Sequence, residues 1–227
     1  MDIRNSVVLI TSAGTALGST LATHFLNLGA QVIVADTEPG PLLDTIKRCR
    51  TMVDDVNYYH LADHSAESIE ELFDYIDQNF EQGIDVLINH WPSLPLPSLI
   101  SEGRNSEDFA KRLTGIASSL YSYGQVTARR MRKHNKKGVI VNLTTNQELG
   151  QFDGLENVSA MITGLTQSWA KELTQFNIRV GAVIPMCYHL SKTDYGRWAQ
   201  VQDELIRNTE YIVANDYFNG RVMAAEA

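Results

Sequence analysis

Cysteine is scarce: the 227 residues hold two, Cys49 and Cys187, and their separation matches no metal-ligand or redox spacing. Neither thiol enters a functional reading. Long hydrophobic runs are missing as well, so no stretch approaches a membrane span. Met1 to Asn5 lead almost at once into the first apolar run at Val7, which leaves no room for a signal peptide and sets the expectation of a soluble, cytoplasmic protein. Positive charge is in deficit, with a net charge of -8. The one basic cluster, Arg129 to Lys137, falls at the end of a predicted helix, where cations offset the helix dipole. General nucleic-acid binding is therefore not expected. His60 and His64 lie four apart around Asp63, but at a strand end and in a loop rather than on one helix face, so no metal site is expected. The chain also lacks internal repeats and low-complexity tracts.

What is present is a 44% hydrophobic content, enough for one α/β domain with a large core. Apolar runs that suit strands alternate with stretches of helical periodicity to the end of the chain. After Asp36 a Pro-Gly turn leads into a helix through Leu42, Leu43, Ile46 and Met52, then a strand around Val56 to Leu61. A helix over about 65–80, a strand at Asp85 to Ile88 and a proline- and serine-rich loop from His90 to Arg104 follow. Next come a long helix over about 106–134, a strand at Gly138 to Leu143, a helix over about 156–176 and a strand at Ile178 to Ile184. A helix through Trp198, Leu205 and Ile212 and a short strand at Arg221 to Met223 close the pattern. Alternation of this kind implies a doubly wound parallel sheet of about seven strands with helices on both faces.

The stretch from Val7 to Asp36 organises the rest. It reads as a buried strand, a small-residue loop running to Gly18, a helix through Leu21, Phe25 and Leu28, and a second strand from Gln31. That is the layout of a dinucleotide-binding half, in which the helix N-terminus offers backbone N–H groups to a pyrophosphate. Asp36, at the end of the second strand, is placed either to accept hydrogen bonds from a ribose, favouring NAD over NADP, or to cap the turn that follows it.

These residues resemble the short-chain dehydrogenase/reductases, whose loop reads Thr-Gly-x-x-x-Gly-x-Gly. Thr11 and Gly18 match that pattern, Ser12 and Ala16 stand where the other two glycines would be, and Gly14 adds freedom elsewhere in the loop. Asp63 matches the family's aspartate near the adenine, and Asn89 the first asparagine of its Asn-Asn-Ala-Gly stretch, which continues here as His90, Trp91 and Pro92. The likeness runs through Gly138 to Thr145, Thr166 to Leu173, Asn177 to Pro185 and Tyr217 to Val222. It implies a single Rossmann-like domain over 1–227, with Thr11, Gly14, Gly18, Asp36, Asp63 and Asn89 as cofactor-binding residues and NAD as cofactor. It also implies a homo-oligomer paired through the helices at about 106–134 and 156–176, with Tyr121, Tyr123 and Trp169 either as contacts or as ordinary core and surface residues.

On the chemistry the resemblance implies a loss. The family's Tyr-x-x-x-Lys pair moves a proton to or from the substrate oxygen, and its two positions are Val158 and Ile162 here. Neither has a proton to give, and general acid–base catalysis is typically worth about 10²–10⁴ in rate. Thr145 keeps a hydroxyl at the serine position, Arg112 stands at the helix asparagine, and Pro185-Met186 replaces a Pro-Gly. His90, Arg112, Tyr188 and His189 are the candidates for a replacement acid, and Arg112 reads first as a helix-surface residue and otherwise as a group that stabilises an oxyanion or binds an anionic ligand. The segment from Met186 to Arg197 is short for a substrate-covering lid. Three readings follow: a catalytically impaired or inactive protein that binds a ligand or partner, an NAD-dependent oxidoreductase with a rebuilt site, or a structural partner of an active relative.

Overall fold

Val7 to Ile10 are all buried, as a strand covered on both faces requires, and they lie at the centre of the sheet. In the computed structural model, which describes residues 1–93, 96–97, 106–146, 155–186 and 195–226, this is β1 (Val7–Ile10). It is followed by α1 (Ala16–Asn27), β2 (Gln31–Asp36), α2 (Pro39–Cys49), β3 (Asn57–His60), α3 (Ala66–Asn79) and β4 (Val86–Ser93). The remainder comprises α4 (Ser106–Lys133), β5 (Val139–Asn146), α5 (Leu155–Leu173), β6 (Arg179–Pro185), α6 (Tyr195–Ala214) and β7 (Val222–Ala225). Every pairing is parallel and the order is β3-β2-β1-β4-β5-β6-β7. The chain thus starts in the middle, winds outward one way, and returns to wind the other. The strand order reverses between β1 and β4.

Alternation within each strand builds two apolar layers. Val8, Ile10, Val32, Val34, Ile88 and Val141 face α1, α2 and α6 through Leu21, Phe25, Ile46 and Leu205. Val7, Leu9, Ile33, Leu87, Ile140 and Val180 face α3, α4 and α5 through Phe73, Leu120 and Ile162. Burying an aliphatic or phenyl side chain contributes about 1.5–3 kcal/mol, so these two layers dominate the stability. The basic cluster at the end of α4 is drawn onto α3: Arg130 pairs with Asp74 at 2.6 Å and Asp77 at 2.5 Å, and Arg129 with Glu70.

The segment expected to loop out from His90 instead prolongs β4 to Ser93, in register with β5 from Asn89 opposite Asn142 to Ser93 opposite Asn146. Proline is tolerated there because β1 stops pairing at Ile10 and Ile88, leaving one edge of β4 without a backbone neighbour. The hydroxyl of Thr11 takes over that edge, accepting from the His90 amide at 2.9 Å and donating to the His90 carbonyl at 2.9 Å. Residues 94–95 and 98–104 of the expected loop lie outside the described residues. In α2, Leu42 and Ile46 face the core as the periodicity requires, whereas Leu43 is half exposed and Met52 falls beyond the helix end. Tyr123 and Trp169 are buried within the chain's own core, Trp169 lying over Gly124 where α4 and α5 cross. Tyr121 remains half exposed.

Candidate functional site

A cleft of about 920 Å3 opens at the carboxyl ends of β1, β2, β4 and β5, around the point where the strand order reverses. That is where open parallel sheets bind ligands, and the volume lies in the range of ligand pockets. Its floor and near wall are the loop after β1, with Ser12, Gly14, Thr15 and Ala16, and the end of β2, with Asp36. Trp91, Pro92 and Thr145 line it from β4 and β5; Asp108, Lys111 and Arg112 from α4; Trp198, Gln202 and Leu205 from α6.

The loop after β1 is held by its own hydrogen bonds. Thr15 caps α1, its hydroxyl accepting from the Gly18 amide at 3.0 Å and donating to the Ser12 carbonyl at 2.9 Å. Ser12 sits at a φ of 48°, a left-handed conformation that glycine takes without strain and a serine holds at a cost on the order of 1 kcal/mol. Gly18 has no room for a side chain, since a Cβ there would lie 2.5 Å from the Ser12 carbonyl oxygen. Asp36, 8% exposed, accepts from the Gly14 amide at 2.8 Å and from the Glu38 amide at 2.9 Å, so it both caps its turn and ties the loop to β2. Of the two sequence readings of Asp36, the capping of its turn is the one these bonds show, and the carboxylate also borders the cleft.

Of the residues the sequence assigned to a cofactor, Gly14 and Asp36 line the cleft. Thr11 extends the β4 edge, and Gly18 packs under the loop. Asp63 braces the start of α3 around its N-cap Ser65, accepting from the Ser65 amide and the Ser68 hydroxyl, both at 2.8 Å, and those hydrogen bonds hold its carboxyl down to about 2. Asn89 is buried; its amide nitrogen donates to the Leu120 carbonyl at 3.0 Å and to Asn142 at 3.2 Å, tying β4 to α4 and β5. Among the described residues, no group of three potential metal ligands comes together, and His60 and His64 do not form one. His64 lies instead beneath Trp91, ring centres 4.7 Å apart, in an aromatic cluster with Tyr123. Burial lowers the His64 pKa and raises that of the Tyr123 phenol.

At the chemical end, Thr145 lines the cleft while Val158 and Ile162, on α5, are 1% and 0% exposed and belong to the core. Arg112 lines the cleft with its Nε 2.9 Å from Asp108, one turn away on α4. His90 is wholly buried and touches two residues of the cleft wall, its Nδ1 lying 3.4 Å from the Thr15 hydroxyl and its Nε2 3.0 Å from the Thr145 hydroxyl. Burial pushes its pKa down to about 4, so it is neutral and, as the replacement acid the sequence suggested, cannot reach a ligand. Tyr188 and His189 lie outside the described residues. Sequence reasoning passed over Thr15, although a threonine three residues before a loop glycine and ahead of an apolar run is an N-cap signal. Trp198 and Gln202 carried no signal, because α6 reaches the cleft only through the winding of the sheet.

Comparison with known proteins agrees with this geometry. The family described as short chain dehydrogenase matches residues 6–197, and the chain belongs to that family. It is 28% identical over 188 residues to the 3-oxoacyl-(acyl-carrier-protein) reductase FabG of Thermotoga maritima, covering 82% of this chain and 75% of the relative. To the sorbitol-6-phosphate 2-dehydrogenase of Klebsiella pneumoniae it is 26% identical, covering 82% and 70%. Among solved structures, NAD+-bound xylitol dehydrogenase superposes with a TM-score of 0.77 at 19% identity, over 100% of this chain and 99% of that one. A short chain dehydrogenase from Leptospira borgpetersenii with bound NAD+ gives 0.76 at 17% identity, over 98% and 92%. These two likenesses speak to the fold.

Proposed function

We propose that this short-chain dehydrogenase-family protein binds a ligand in the cleft at the sheet's switch point and does not perform hydride transfer by a tyrosine–lysine pair. The observation that carries this reading is the burial of Val158 and Ile162 at 1% and 0% exposure. The α5 positions that would hold a proton donor and its ammonium neighbour are part of the core and face no ligand. A phenol and an ammonium could not be restored there without opening that core.

The nucleotide half of the cleft fits a nicotinamide dinucleotide better than the chemical half does. The first amides of α1, at Ala16 and Leu17, have no acceptor within the helix and would receive a pyrophosphate, and Asp36 would receive a ribose. When bound, such a cofactor supplies a hydride donor or acceptor. Ala16 presents a methyl group and Trp91 an indole on its path. A second reading, an NAD-dependent oxidoreductase with a rebuilt site, draws support from the retained hydroxyl of Thr145 in the same cleft. Pairing of two copies through α4 and α5, with Tyr121 at the contact, is part of the proposal.

Calorimetric titration of the purified chain with NADH and, separately, NADPH tests the reading. NADH is expected to bind in the micromolar range, on the order of -8 kcal/mol, with NADPH weaker because of Asp36 and Glu38. A screen of carbonyl substrates is expected to show no turnover. Turnover at rates normal for the family would overturn the proposal in favour of the rebuilt enzyme, and absence of heat with both nucleotides would remove the nucleotide as ligand.

A further inference from the structure

The imidazole of His90 is enclosed between two hydroxyls, with Nδ1 3.4 Å from Thr15 Oγ1 and Nε2 3.0 Å from Thr145 Oγ1. The direction of both bonds follows from counting protons. Thr15 has a single hydroxyl proton, and at 2.9 Å it goes to the Ser12 carbonyl. Towards His90, Thr15 can therefore only accept, and the Ser12 carbonyl, which also faces the ring, can never do anything else. Nδ1 must carry the hydrogen. A fully buried imidazole without a carboxylate partner stays neutral and has one N–H, so Nε2 is a bare lone pair. Only the Thr145 hydroxyl can complete that contact, by donating.

We infer that His90 is a positioning residue that draws the Thr145 proton into the protein and presents the Thr145 oxygen to the cleft as a hydrogen-bond acceptor. The cleft then selects, at this point, a ligand group that donates, such as a secondary alcohol, over the carbonyl of the same skeleton. The chain of bonds from the Gly18 amide through Thr15 and His90 to Thr145 is anchored at the α1 cap, so the loop after β1 and the end of β5 are set as one unit. The ligand preference rests on the cleft-binding reading above; the orientation of His90 does not.

Long-range proton–nitrogen correlation spectra of the full chain, labelled at histidine nitrogen, read the orientation directly. His90 is expected as the Nδ1–H tautomer at pH 7 and unchanged at pH 5.5, with its Nε2 resonance moved by Thr145→Val and restored by Thr145→Ser. An Nε2–H tautomer, or an imidazolium at pH 5.5, overturns the proposal. Saturation-transfer spectra with cyclohexanol and cyclohexanone then test the selection. The alcohol is expected to bind about three- to tenfold more tightly, the worth of one net hydrogen bond, and the difference is expected to vanish in Thr145→Val. Equal binding, or a preference that survives Thr145→Val, overturns the selection. If the Nδ1–H tautomer is present and neither probe binds, the selection for such alcohols fails together with the ligand-binding reading, and the orientation of His90 stands.

Discussion

His90 enters the folded chain uncharged, and that has a consequence for stability. Its ordinary pKa of 6.5 falls to about 4 in the fold because burial penalises the charged ring. As pH drops through 6.5 the unfolded chain takes up a proton that the folded chain refuses until about 4, so stability is complete above 6.5 and declines towards 4. Between pH 7 and pH 5 the expected loss is about 2 kcal/mol, with His64, also lowered by burial, acting in the same direction. Urea unfolding at the two pH values checks this, and His90→Gln is expected to flatten the dependence. Gly18 makes a second prediction at this scale. Alanine in a helix is favoured over glycine by about 1 kcal/mol, but a Cβ at Gly18 meets backbone at 2.5 and 2.8 Å. Gly18→Ala is therefore expected to destabilise by about 1–3 kcal/mol, and a rise in Tm would show that the loop can move aside. Thr145 was readable from the chain as a candidate site residue; the histidine behind it was readable only as a candidate acid, because burial and partner cannot be seen in one dimension.

At the level of elements, the proposed loss of the tyrosine–lysine chemistry rests on α5. Its apolar face includes both Val158 and Ile162, so the helix is a core element along the length where the family motif would stand. Ile162→Lys would place an ammonium at a site with 0% exposure among aliphatic neighbours, at an expected loss of about 3 kcal/mol or more. The double variant with Val158→Tyr is expected to melt earlier than the natural protein and to show no reductase turnover; robust turnover would contradict the account of both α5 and the cleft. Helix positions were legible because the 3.6-residue periodicity of their buried faces is strong, as in α3 with Ile69, Leu72, Phe73 and Ile76. The extension of β4 was not, since Pro92 reads as a loop residue unless the neighbouring strand is known to have ended.

Across the whole molecule, the cleft is assembled from both halves of the winding, with Asp36 from the first half and Thr145, Arg112 and Trp198 from the second. Pairing through α4 and α5 would cover Tyr121, half exposed and edge-on to Trp169 at 6.3 Å. Sedimentation is expected to show a dimer that Tyr121→Asp shifts towards monomer; a monomeric natural protein would remove that part of the proposal. Among the described residues no helix is long and apolar enough to cross a membrane, in keeping with the lack of long apolar runs. By itself the sequence determined the alternating elements, the parallel winding and the presence of valine and isoleucine at 158 and 162, because these depend on local periodicity and on residue identity. Only the tertiary structure decided that Asn89, Asp63 and Thr11 hold the scaffold while Thr15, His90 and Thr145 join into one hydrogen-bonded line. Hydrogen-bond partnership and burial arise between segments some 75 and 55 residues apart, and no spacing along the chain encodes which of them meet.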